Sequence, residues 1–246
     1  MRGVLLLVAI AAAVAAAPVP AEAGRTPFGW LFGTEVLPER GAEVQTWVAE
    51  ENGKQPNDLH DTTLWWGALV GVTDQLELAL PVEMLWREQD GVAPSFTVRR
   101  FGLEARYRLV SQDPFEAPPF APLVRVAVKR DVSARDRVRV EADLVGAYRA
   151  GPVIALVDVG AIGELGRDDS HFELHPGAGV SVEVAGELRL GAEAYAELSL
   201  DSEVESWAVV GPSLGWSHGR FWLSAAFGVG VYQIKTAPRV VWGVLF

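Results

Sequence analysis

Twelve charged residues recur at alternate positions of successive segments: Glu77 and Glu83; Arg100, Glu104, Arg106 and Arg108; Arg125 and Lys129; then Arg137, Arg139, Glu141 and Asp143. In extended chain this spacing puts them on one side of each segment. Two chemistries suit such a row. Facing a water-filled path, separated cations and carboxylates form a wall that sorts solutes by charge. Facing a narrow closed interior, the same groups must pair, because an isolated buried charge is costly. Small barrels fill their interior with side chains, so a salt-bridged, sealed lumen competes with a pore wall.

The histidines offer a second chemistry. His60 adjoins Asp61, and His171 follows Asp168, Asp169 and Ser170, both in polar stretches expected as loops. A hydrolase with a rim site would use such groups to activate a hydroxyl or water; solvated loop residues are the plainer reading. His171, Glu173 and His175 share one side of an extended segment, where neighbours at i and i+2 lie ~6.6 Å apart and the outer pair ~13 Å apart. One ion held there needs ligands from other segments, and neither a metal nor a cofactor is expected. The chain has no cysteine, which excludes a disulfide framework, a thiolate site and a cysteine nucleophile. Phosphate loops, nucleophile elbows and HExxH helices are also missing, so no catalytic residue is assigned. A net charge of −11 argues against nucleic acid as a partner.

The elements that must position these residues are strands. Leu76, Leu78, Leu80, Val82, Met84 and Trp86 alternate with Glu77, Ala79, Pro81, Glu83, Leu85 and Arg87, and the same period two returns along the chain. It predicts twelve strands near 41–50, 61–72, 75–87, 96–109, 122–130, 136–148, 152–163, 172–184, 187–199, 205–217, 220–232 and 237–246. Short connections at 73–74, 149–151, 185–186 and 217–219 alternate with longer polar ones, as in barrels with short periplasmic turns and long outer loops. The proline-rich stretch 111–119 is the exception. Pro81, Pro176 and Pro212 should bring bulges or local breaks in the ladder.

Ahead of the strands, Arg2, the apolar run Gly3–Ala17 and Ala21-Glu22-Ala23 read as an export signal, leaving residues 24–246 as one domain. Removing residues 1–23 takes out Arg2 and Glu22 and leaves the charge unchanged. Tyr107, Tyr148, Trp216, Phe221 and Phe246 fall on the apolar side at one set of strand ends and Trp86 at the other, where a membrane-interface girdle belongs. The final alternating set, Val240, Trp242, Val244 and Phe246, is similar to the signal read by the barrel-insertion machinery. The fold class that follows is an all-β, antiparallel up-and-down transmembrane barrel of about twelve strands in a bacterial outer membrane. Its partners would be outer-membrane lipid and that machinery. The competing fold is a soluble barrel or sandwich that buries the Leu/Val side.

Three stretches carry a family resemblance: Trp30-Leu31-Phe32-Gly33-Thr34-Glu35-Val36-Leu37-Pro38 with Gly41, Glu43 and Trp47; Gly71–Leu78; and Gly102–Leu109. Together they resemble proteobacterial outer-membrane barrels labelled after the phenol-degradation MetA pathway. Glu39-Arg40 before Gly41 departs from that family's shorter spacing. The resemblance implies a barrel and a transporter-like role. The functional expectation is a passive channel or transporter for small solutes, with the rim hydrolase and the sealed structural barrel as alternatives.

Overall fold

The computed structural model describes residues 25–246, apart from residues 90, 114, 168 and 202–205. The expected export signal, residues 1–23, lies outside them. Twelve strands follow in order: β1 (Ala42–Lys54), β2 (Leu59–Gly71), β3 (Leu76–Gln89), β4 (Val92–Arg108), β5 (Phe120–Asp131), β6 (Val138–Ala150), β7 (Val153–Leu165), β8 (Ser170–Ala185), β9 (Leu188–Ser199), β10 (Trp207–His218), β11 (Phe221–Tyr232) and β12 (Thr236–Leu245). Each pairs antiparallel with its neighbour in sequence, and β12 pairs with β1 to close the barrel. No helix occurs among the described residues. Closure gives every strand two partners, so no edge is left with unpaired backbone groups.

The period-two pattern decides which side faces in. In β3, Glu77, Ala79, Glu83 and Leu85 are buried, whereas Leu80 and Trp86 are exposed. The outward residues form an apolar belt in which Leu80, Leu144 and Val157 are 60%, 59% and 54% exposed. The Leu/Val side is therefore not a core, and the reading of a soluble barrel packed on that side fails. The barrel is turned the other way, with its charges inside.

The strands pass through Pro81, Pro176 and Pro212 without a change of register. Each proline costs ladder pairings on one side only, as a missing N–H requires: pairing of β8 with β9 resumes at Gly177↔Tyr195 in the register of Leu174↔Leu198. A register shift does occur between the pairs Glu83↔Arg100 and Met84↔Val98. The extra residue, Arg99, bulges the strand and joins Arg100 on the lumen side.

At the end where β1 begins, three two-residue turns start with Gly151, Gly186 and Gly219, all at positive φ. At the other end the connections run from two residues (90–91) to seven (200–206), shorter than expected because the strands extend into stretches that read as loops. The 109–119 stretch sits among the short turns, and its length has a use described next.

Candidate functional site

Before β1 the chain folds back into the barrel. Phe28, Trp30, Leu31, Val36 and Leu37 are all 5% exposed or less. Arg25 starts the segment at the short-turn end, ion-paired with Glu77 and within 3.4 Å of Glu43. The chain then rises to Trp30, whose indole Nε1 donates to the Ala237 carbonyl at 3.0 Å. It returns through Leu37, whose N–H donates to the same Glu77 at 2.8 Å. The two arms cross at Gly33, where a Cβ would lie 1.9 Å from the Arg25 carbonyl oxygen.

The wall is shaped for this segment. On β5–β7 the inward positions Leu123, Val145, Ile154 and Leu156 are apolar, and they pack with Phe28, Leu31 and Val36. On β8 the inward residues facing them are Gly177 and Gly179; a Cβ there would come within 2.3 Å of Leu31 and 2.5 Å of Phe28. The backbone of an inserted loop needs partners for its polar groups. Glu193 accepts the Gly29 N–H at 2.9 Å and the Trp30 N–H at 3.2 Å. Asp158 accepts the Phe32 N–H at 3.1 Å. Arg108 donates to the Thr34 carbonyl and pairs with Glu35. From the long 109–119 connection, the Gln112 amide meets both the N–H and the carbonyl of Val36. The irregular connection thus closes over the return arm.

Above the segment lies the charge network. Arg125 donates to Glu104, Glu141 and Asp143 at 2.6–2.7 Å. Lys129 bridges Glu83 and Glu141. Arg139 joins Glu141 to Glu164, and Arg100 pairs with Glu164 as well. Arg106 links Glu104 to Glu77, so the network reaches the inserted segment. The ring of Phe32 lies under the Arg125 guanidinium at 4.2 Å. Of the twelve sequence-identified charges, eleven face the lumen in ion pairs. Arg137 does not join them: it precedes β6 at the rim and pairs with Asp169, half exposed.

A cavity of 530 Å³ occupies the rest of the lumen, from a floor of Trp30 and Phe32 to Leu59 and exposed Asn57 at the end away from the short turns. Glu43, Glu77 and Arg108, below the segment, do not line it. Its aromatic side is built by Trp47 stacked on Trp65 and by Trp30 against Tyr195 and Trp207.

His60 and His171 do not meet. His60 faces Asn52 at 3.3 Å, and His171 sits between Asp169 and Asp201 at the rim. A strand the sequence could not align changes which of the residues near His175 come together. Register puts Glu197 of β9 opposite His175, so Glu173, His175 and Glu197 bring ligand atoms within 4.8 Å of one another. Both His175 nitrogens already have partners, Glu173 at 3.3 Å and the Tyr195 hydroxyl at 2.7 Å. Outside the strands, Asp58 accepts a hydrogen bond from Lys235 at 2.6 Å, which holds its carboxyl below the ordinary value. The expected girdle residues Trp86, Tyr107, Tyr148, Trp216 and Phe246 are exposed on the outer face, and Phe221 is half-buried against Trp216.

Sequence reasoning missed Arg99, Asp158, Glu164, Glu193 and Arg239 as lumen residues, and missed the inserted segment itself. One signal was available. Leu123, Val145, Ile154 and Leu156 are apolar on the side that is otherwise charged, which means something apolar covers them.

Fold and site define a closed twelve-stranded antiparallel barrel with a charged lumen and an inserted N-terminal segment. The solved COG4313 outer membrane channel from Pseudomonas putida F1 shares the barrel fold, with a TM-score of 0.64 at 12% identity over 87% of this chain and 98% of that one. The β domain of the Bordetella autotransporter BrkA is similar too, with a TM-score of 0.55 at 11% identity over 85% of this chain and 100% of that one. Neither a sequence-family profile nor a curated protein matches the chain.

Proposed function

We propose that this protein is an outer-membrane channel for small solutes, closed at its short-turn end by residues Arg25–Gly41 and opened when that segment leaves its seat. The observation that carries the reading is the 530 Å³ cavity, which ends on Trp30 and Phe32 of the segment and not on side chains of the barrel wall. A barrel built only to be sealed would fill the lumen from its own strands; here the obstruction is the stretch leading into β1, held to the wall by packing and hydrogen bonds and not by strand pairing. The membrane part of the proposal rests on the exposed apolar belt, because soluble proteins rarely leave contiguous apolar patches beyond a few hundred Å². The fold shared with the Pseudomonas putida channel is consistent with it. Export by a cleaved signal, insertion through the Phe246-terminated strand and kinship with the MetA-pathway barrels belong to the same proposal. The ion-paired wall of Arg100, Glu104, Arg125, Lys129, Arg139, Glu141 and Asp143 would face the path.

The absence of native cysteine makes a lock simple to build. A Cβ at Gly29 would lie 2.7 Å from the Ala226 Cβ and 2.8 Å from the Ala226 backbone nitrogen, against the ~3.8 Å between Cβ atoms that a disulfide prefers, so the bridge forms only with the loop moved about 1 Å off β11. In planar bilayers the oxidised Gly29→Cys/Ala226→Cys protein should give no current, and reductant should restore the wild-type openings. Currents that persist through the oxidised form remove the segment as the gate. No current from the reduced form, the wild type or a deletion of residues 25–37, all folded, removes the channel.

A further inference from the structure

The cavity contains one buried arginine that the barrel does not satisfy. Lys54, Arg87, Arg100, Arg106, Arg125, Lys129 and Arg139 all line it, and each has a carboxylate within 4 Å. Arg239, inward on β12 and only 9% exposed, has no ion pair and no hydrogen bond among the described residues. Its Nε is buried without a partner. The guanidinium instead lies between two indoles, 4.3 Å from the ring centre of Trp47 and 5.0 Å from that of Trp30.

Carboxylates on the same cavity wall are committed elsewhere. Glu193 holds the Gly29 and Trp30 N–H groups, and Glu197 accepts from Trp207 at 3.0 Å. An aromatic face partly offsets the desolvation of a cation but leaves the five N–H donors of the guanidinium unused. A planar fork held between flat rings is arranged to receive a carboxylate bidentately while the more accessible ring receives the apolar body attached to it. The volume suits one small ligand, since such sites span ~300–1,000 Å³. Arg99, on the β4 bulge, is the other cavity arginine without an ion pair among the described residues, and it adds positive potential on the cavity wall.

We propose that the cavity binds a small organic carboxylate, its anionic head on Arg239 and its apolar body against Trp47, the partly accessible indole beside it. The inference names a ligand class for the site read above as a channel vestibule. It rests on that reading for its role in transport, but the binding itself does not require conduction.

The test is equilibrium binding to the purified full chain in detergent, followed by calorimetry and by tryptophan fluorescence. Four probes separate the parts: benzoate, acetate (the head without the ring), benzyl alcohol (the ring without charge) and benzylammonium (the opposite charge). Benzoate should bind saturably with a fluorescence change and the other three at least about tenfold more weakly, the ~1.4 kcal/mol expected of a lost polar or apolar half. Arg239→Met should weaken benzoate about a hundredfold, as loss of one partner of a buried charge pair does. Arg239→Lys should recover part of that, since it keeps the charge without the fork. Trp47→Leu, which leaves the charge in place, should weaken benzoate and not acetate. Heat-modifiable migration on a gel verifies the fold of each variant. No saturable benzoate binding, equal binding by folded Arg239→Met, or preference for benzylammonium overturns the proposal; the last assigns the cavity to Glu173 and Glu197. Because no step measures current, a failed channel and a failed binding site give different results.

Discussion

If residues Arg25–Gly41 gate the lumen, loosening their seat should open the barrel without unfolding it. Phe28 is the sharpest place to test this. Its side chain has no exposed surface and packs in one cluster with Leu123, Val145, Ile154 and Leu156 of the wall. Phe→Ala at such a site costs about 3–5 kcal/mol, from lost transfer energy plus the cavity left behind. In this barrel the cost falls on the contact between loop and wall, because Phe28 pairs with no strand. At ~1.4 kcal/mol per factor of ten, the ratio of seated to unseated segment should fall by about two to three and a half orders of magnitude. Single-channel recording in planar bilayers reads that ratio as open probability. Phe120→Ala is the control, since Phe120 is 52% exposed and does not belong to the cluster around Phe28. The reasoning is refuted if Phe28→Ala keeps wild-type open probability while its gel shift shows an intact barrel. It is also refuted if Phe28→Ala and Phe120→Ala open equally.

Three further expectations follow from the same structure. Arg125→Met should leave Asp143 without an ion pair and take one partner from Glu104 and Glu141, each now 2.6–2.7 Å from the guanidinium, and destabilise the barrel by about 3–5 kcal/mol, measurable as a lower midpoint in urea unfolding from detergent or lipid. Leu144→Arg, in the middle of β6 and 59% exposed, should cost ~2–4 kcal/mol if that surface meets lipid, and a stability unchanged in lipid vesicles would contradict the membrane reading. At the end away from the short turns, the Asp58 carboxyl titrates below its ordinary 3.8 because Lys235 donates to it. Its contribution is fully present above that ordinary value and is lost only as pH falls through the depressed one. Hydrogen exchange in residues 55–58, corrected for the intrinsic pH dependence, should therefore be flat from about pH 5 upward and lose protection only below about pH 4, and loss of protection between pH 5 and 7 would contradict the link.

The barrel was legible because its two determinants are local. Alternation along 75–87 already separates Glu77 and Glu83 from Leu80 and Trp86, and connection lengths set which strand ends lie together. All twelve expected strands are present, and their ends move by a few residues because ladder pairing continues past the apolar pattern. The hairpin of β3 and β4 shows this: it runs on to Gln89 and Val92 through what reads as a loop at 88–95. The prolines misled only mildly, since losing one donor breaks one ladder and leaves the other. Arg99 was missed because a bulge moves a residue across the sheet without leaving any mark in the period of the sequence.

The inserted segment was hidden for a different reason. The period-two rule says which side of a strand is shared but nothing about what fills the space that side encloses. Phe28-Gly29-Trp30-Leu31-Phe32-Gly33 has no strand period, so it registered only through its family resemblance, as a stretch before the first strand. Its fit is written in the wall instead, in Leu123, Val145, Ile154 and Leu156 on one side and Gly177 and Gly179 on the other, residues that come together only once β5–β8 are in register. Arg239 follows the same logic. Read alone it is one more inward charge in an alternating strand. It becomes an unpaired cation only because Glu193, which could have neutralised it, is spent on the backbone of Gly29 and Trp30. Seating the segment and leaving Arg239 free are therefore one event, and a carboxylate bound at Arg239, whose guanidinium lies over Trp30, must feel whether the segment is in place. Ligand and segment are thus thermodynamically linked: if seated Trp30 builds part of the site, a bound carboxylate stabilises the closed state, and Phe28→Ala should weaken binding by the fraction of segments it releases.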